Sequence, residues 1–228
     1  MKKTTFVALL LLSSQCVADT LSSTVQSIES EWAAIYYKTP KAQQGGAYKV
    51  LLSKAVALEK EYPNAAEPIF WEALIKASSA DQAGAISALS LINEAKELLQ
   101  KAININPKAM DGSAYVTLGT LYYMVPKWPI AFGDDEKAKS LLETALKINP
   151  KGIDTNYYYG DFLLSLDRTE EAEKYFEYAI NAPARPEQLF ADNQLKAEAR
   201  KALGKIKASS KESDKNVFAS FSQAAHIR

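Results

Sequence analysis

The sequence predicts an all-α solenoid of stacked helical hairpins, and three observations carry that prediction. Alternating runs of Val, Ile and Thr are nearly absent, so there is little from which to build a sheet. Ala, then Leu or Phe, then Ala recur at helical spacing, each set closed by Pro. The step from Ala145 to Ala179, equivalent positions in two such sets, is 34 residues, the length of one helix-turn-helix repeat.

The elements follow in chain order. Met1-Lys2-Lys3 is a short positive start, Thr4 to Leu12 is an apolar run, and Ser13 to Ala18 is a small, polar close. This three-part pattern predicts an export signal at residues 1–18, cut after Ala18. The apolar run is about half the ~20 residues that span a bilayer, so cleavage is expected rather than anchoring. Gln15 precedes Cys16 where a lipid-attachment site needs a small residue. Removing Lys2 and Lys3 takes the basic count from 27 to 25 against 27 acids, a net charge of −2. It also removes the single Cys, so the mature chain has no thiol to oxidise. A Lys-Lys start with a short leucine core fits bacterial export, and the expected location is the periplasm.

The solenoid is expected over residues 19–207. Trp32, Ile35 and Tyr36 mark a first helix from about residue 21 to 37, followed by a turn at Gly45-Gly46. Tyr48-x3-Leu52-x2-Ala55 marks the helix paired with it. Trp71-x2-Leu74 pairs with Ala95-x3-Leu99-x2-Ala102, Tyr115-x2-Leu118-Gly119-x2-Tyr122 with Ala138-x3-Leu142-x2-Ala145, and Asn156-x2-Tyr159-Gly160 with Ala172-x3-Phe176-x2-Ala179. Small residues let paired helices come close, and Gly119 and Gly160 stand where they cross. Asp134-Asp135-Glu136 and Thr169-Glu170-Glu171 open two of the second helices with capping and acidic residues. Beyond Pro186, Leu189, Leu195, Ala199, Ala202, Leu203 and Ile206 form the stripe of a C-terminal capping helix. Residues 208–228 read as a polar tail.

These residues resemble tetratricopeptide (TPR) repeats: Trp or Tyr, Leu-Gly and Tyr in the first helix, Ala, Phe or Leu, and Ala in the second, then Pro. The resemblance covers residues 32–183 and is closest over 154–183. It implies a right-handed superhelix whose concave groove, built from the first helices, binds a peptide segment or partner protein. Two hairpins carry extra residues, 8 within 77–92 and 7 within 124–134, expected to be loops on one face of the solenoid. The second of these, from Pro126 to Asp134, resembles a loop in the T component of tripartite (TRAP) periplasmic transporters, where a Gly-Asp step leads into the second helix. A similar insertion occurs in the regulator of microtubule dynamics family. The transporter resemblance implies a small-molecule-binding accessory protein as the alternative function.

Chemistry is sparse. Equal counts of 27 acidic and 27 basic residues argue against nucleic acid as the main partner. There is no Gly-rich phosphate loop, HExxH or CxxC, and the single histidine, His226, stands near the end of the chain. No catalytic residue, metal site or cofactor is expected. A carboxylate-based hydrolase using Asp134, Asp135 or Glu136 is the third reading, against plain helix capping. Aromatic and acidic residues concentrate between 122 and 162, and rotation about the helices points Tyr123, Tyr157 and Asp161 to the groove. With Trp128, Phe132 and Asp134 of the loop they form the expected binding set, although Tyr packing between repeats competes with that reading.

Overall fold

The structure, a computed structural model, describes the backbone of residues 5–225 and the side chains of residues 20–209. Four helical hairpins and a capping helix follow one another, with no strand among the described residues. They are α1 (Thr5–Lys38) with α2 (Lys41–Glu61), α3 (Ala66–Ala80) with α4 (Ala85–Ile105), α5 (Ser113–Met124) with α6 (Asp135–Ile148), and α7 (Ile153–Ser165) with α8 (Thr169–Asn181). The cap is α9 (Leu189–Ala225). Each helix packs against the next, and among the first helices α1 also touches α3 and α5 touches α7. This is the all-α, TPR-like solenoid that the repeat spacing predicts.

The seam inside each hairpin follows from side-chain size. Ala95, Leu99 and Ala102, Ala138, Leu142 and Ala145, and Ala172, Phe176 and Ala179 are all fully buried. The alanines let the helices approach and the larger residue fills the gap between them. The two glycines complete the seam. A Cβ on Gly119 would stand 2.7 Å from Leu142 Cγ, and one on Gly160 would stand 3.2 Å from the Phe176 ring.

Four local expectations give way. Gly45 and Gly46 lie inside α2, not in a turn. The turn is set earlier, where buried Gln44 donates from Nε2 to the carbonyls of Ile35, Tyr36 and Thr39 at the end of α1. The extra residues of the second hairpin are helix, not loop: α4 has 21 residues against 14 in α6. After Gly84, the run Ala85-Ile86-Ser87-Ala88-Leu89 has helix formers and no breaker. Thr169 is the first residue of α8 rather than its cap, and Arg168 at the cap position instead bonds Glu171 twice at 2.7 Å. Finally, α9 runs on through the residues expected to start the polar tail. No Gly or Pro follows Gly204, so nothing stops the helix.

The backbone of α1 is continuous through Ala18. The side chains of residues 1–18, where an export signal is expected, and His226 lie outside the described residues. Among the described residues no helix is long and apolar enough to cross a membrane.

Candidate functional site: a hollow on the concave face

The first helices present a spaced stripe to the inside. On α1, Val25, Glu29, Trp32 and Tyr36 fall at three- and four-residue intervals on one face. Trp71, Leu74 and Ser78 of α3 stand beside them, then Val116, Thr117 and Thr120 of α5. Ala88 and Ile92, from the two extra turns of α4, extend the same wall. Together they line a hollow of about 620 Å³, within the usual range of ligand-binding cavities.

The hollow exists because the two ends of the solenoid meet. Gln188 Nε2 donates to Glu29 Oε2 at 2.8 Å, across 159 positions of sequence. The Tyr37 and Phe190 rings meet edge to face at 6.1 Å, and Lys38 Nζ lies 3.9 Å over the Phe190 ring. The capping helix therefore does more than cover the last repeat. It closes the superhelix against α1 and turns an open groove into a walled space.

One pole of this space is charged. Arg185 Nη2 donates to Asp192 Oδ1 at 2.6 Å, and the Arg185 backbone N–H donates to Asp192 Oδ2 at 2.7 Å. Asp192 is 1% exposed. Burial opposes the Arg185 charge, but its bonds to Asp192 and the nearby Asp154 and Glu29 carboxylates outweigh that cost and raise its pKa. Glu29 has a different balance. Desolvation raises its pKa from 4.5 to about 7; Arg185 pulls it down, and Asp192 pushes it up. Glu29 thus titrates near neutral pH inside a cavity, a combination typical of functional groups.

The other pole is aromatic. Trp32 stacks on Tyr36 at 5.2 Å and tilts against Trp71 at 6.0 Å. Trp32 Nε1 donates to Ser78 Oγ at 3.0 Å, whereas buried Trp71 keeps an indole N–H without an acceptor. At the rim, Met110 and Asp111 hold left-handed backbone, with φ of 48° and 55°. Such geometry is costly for residues with side chains and collects at binding sites.

None of the six residues singled out in the sequence lines this hollow. Tyr123 donates to Asp161 Oδ2 at 2.6 Å and packs on Phe162, tying α5 to α7. Burial is the main cause that raises its pKa, and Asp161 adds to it. Tyr157 packs against Phe176 and lies beside Glu198 of α9. The neighbouring Tyr158 lines the hollow instead. Phe132 packs into the core, on Tyr122 at 5.1 Å and under Lys96. Asp134 caps α6, accepting from the Lys137 N–H at 3.0 Å. Asp135, next to it, pairs with Lys127. Trp128 is 85% exposed on the loop between α5 and α6.

Glu29, Arg185 and Asp192 were not visible as a site, because they come from distant elements. The run Glu29-x2-Trp32-x3-Tyr36, an acid on an aromatic stripe, was the available signal. A second recess of about 330 Å³ is lined by Glu72, Lys76, Glu94, Glu97, Leu98 and Lys101. There Lys76 pairs with Glu94 at 2.8 Å and Lys101 with Glu59 at 2.7 Å, an ion network tying α2, α3 and α4. No group of acids, histidines or cysteines among the described residues could hold a metal ion.

No protein-family model matches the chain, and no curated protein matches it. Solved structures do. TTC0263, a thermophilic TPR protein of Thermus thermophilus, aligns with a TM-score of 0.54 and 22% identity, over 72% of this chain and 75% of that one. MamA aligns over 77% of this chain and 95% of its own at 19% identity, with a TM-score of 0.44. At these identities the likeness is one of fold, and TTC0263 carries it: the chain has a TPR-like helical-repeat fold.

Proposed function

We propose that the protein is an exported, non-enzymatic scaffold that holds a segment of a partner protein in the hollow on its concave face. The observation that carries this reading is the hollow itself. Its wall draws on all four hairpins and the cap, and it combines a rigid aromatic side with fixed polar groups. Rigid aromatic surface offers large contact area at low entropic cost. The signal-like residues 1–18 support a periplasmic location, with residues 19–207 as the mature binding domain. The loop between α5 and α6, where Trp128 is exposed, is a second contact surface in this reading. Trp128 would supply its exposed apolar area.

Native mass spectrometry after mild crosslinking in the cell tests the proposal. The expected result is a retained protein partner, with signal-free chain in the periplasmic fraction. A bare chain carrying only a small non-covalent mass would replace the scaffold with the small-molecule accessory reading.

A further inference from the structure

We infer that the segment held in the hollow is basic: it presents a lysine or arginine side chain to Glu29, with its aliphatic stem against Trp32 and Tyr36. This rests on the scaffold reading above and specifies what the scaffold selects.

Charge complementarity is the first support. The hollow is lined by the carboxylates Glu29, Asp81, Asp111, Asp154, Glu187 and Asp192, against a single guanidinium, Arg185. The whole chain carries equal numbers of acids and bases, so this excess is local. Arg185 is already engaged by both oxygens of Asp192. Asp81 lies 3.6 Å from Lys41. Glu29, Asp111, Asp154 and Glu187 have no ion-pair partner among the described residues, and Glu29 receives a neutral amide donor, Gln188. An anionic segment would be repelled. A neutral one would leave Glu29 without a cationic partner and favour its protonated form.

The geometry of α1 is the second support. Glu29, Trp32 and Tyr36 lie within two turns on one face. Stacked aromatic rings beside a carboxylate suit a cation on a flexible apolar stem, since ring faces attract positive charge and the stem buries apolar area.

The pairing also has a pH signature. Only ionised Glu29 pairs with a cation, so affinity rises as pH increases through about 7. The groups facing Glu29 are Arg185, Glu187 and Gln188 before α9 and Asp192 on α9; Asp154 of α7 lines the same space. A bound cation would itself lower the Glu29 pKa.

The test is selection of heptapeptides from a random phage-displayed library on the full chain and on its Glu29→Gln variant. Binding is then measured with synthetic peptides by tryptophan fluorescence. Trp128→Phe leaves Trp32 and Trp71 as reporters, both in the hollow, of the 3 tryptophans in the chain. The expected result is enrichment of Lys or Arg at one position on the wild-type chain. A Lys peptide should bind about tenfold tighter than its norleucine twin, and Glu29→Gln should erase most of that difference. Circular dichroism checks that the variant folds, and Asp154→Asn provides a second charge removal in the same wall. Neutral or acidic peptides that shift the fluorescence equally well would overturn the basic preference and leave the scaffold reading standing. No enriched peptide, or enriched peptides to which Trp32 and Trp71 do not respond, would overturn both.

Discussion

The seam inside each hairpin and the wall of the hollow are built by opposite rules. The seam is apolar, locally encoded and repeated: Ala, Leu or Phe, and Ala within one helix, facing Gly119 or Gly160 in the helix before it. The wall is mixed, assembled from residues 22 to 195, and carries more charge than it neutralises. The seam lowers the free energy of the fold wherever it recurs. The wall gives up stability, in a desolvated carboxylate and left-handed backbone at Met110 and Asp111. Regions that work against folding in this way are where binding is expected.

Seam substitutions should have the largest effects. Phe176→Ala should cost about 4 kcal/mol in urea unfolding, since it empties a fully buried position. Gly119→Val should cost at least as much: its Cβ would already fall 2.7 Å from Leu142 Cγ and 3.3 Å from the Ala138 carbonyl. Wild-type stability in either variant would mean that the seam does not hold the hairpins together.

Next comes the closure. Asp192→Ala leaves Arg185 unpaired in a largely buried position and should cost about 3 kcal/mol. It should also raise hydrogen exchange in α1, across the contact with α9. Exchange confined to α9 would show that the ends of the solenoid do not meet in solution.

Glu29→Gln should act in the other direction. The folded-state pKa of Glu29 is raised from 4.5 to about 7, so the folded chain holds this proton more tightly than the unfolded chain. Wild-type stability from this group is fully present below about pH 4.5 and is lost as pH rises to about 7. The glutamine keeps the neutral form at every pH. Its melting temperature should match wild type near pH 4 and exceed it at pH 8; equal values at both would assign Glu29 an ordinary exposed environment. The smallest effect is expected at Trp128, where Ala should change stability by less than about 0.5 kcal/mol.

This ordering tracks what could be read in the sequence. The seam recurs with the same internal spacing, 34 residues apart in the last two hairpins, and rests on size, so Ala138, Leu142 and Ala145 are legible in the sequence. The hollow depends on contacts such as Gln188 with Glu29, which leave no local pattern. Tyr158 lines the hollow where Tyr157 was expected to, and one residue is about 100° of helix rotation. Asp134 and Phe132 drew attention through their composition, an acid and an aromatic in an inserted loop. Their environments are those of a helix cap and a core residue.

The most direct measurement is site-specific photocrosslinking in the cell, with the photoreactive residue at Thr117 in the hollow, at Trp128 on the loop, or at Lys147 on the last turn of α6. A protein adduct formed through Thr117 and lost when basic peptide is added would place the partner segment where the wall predicts. Adducts through Trp128 or Lys147, with none through Thr117, would contradict the hollow as the binding site.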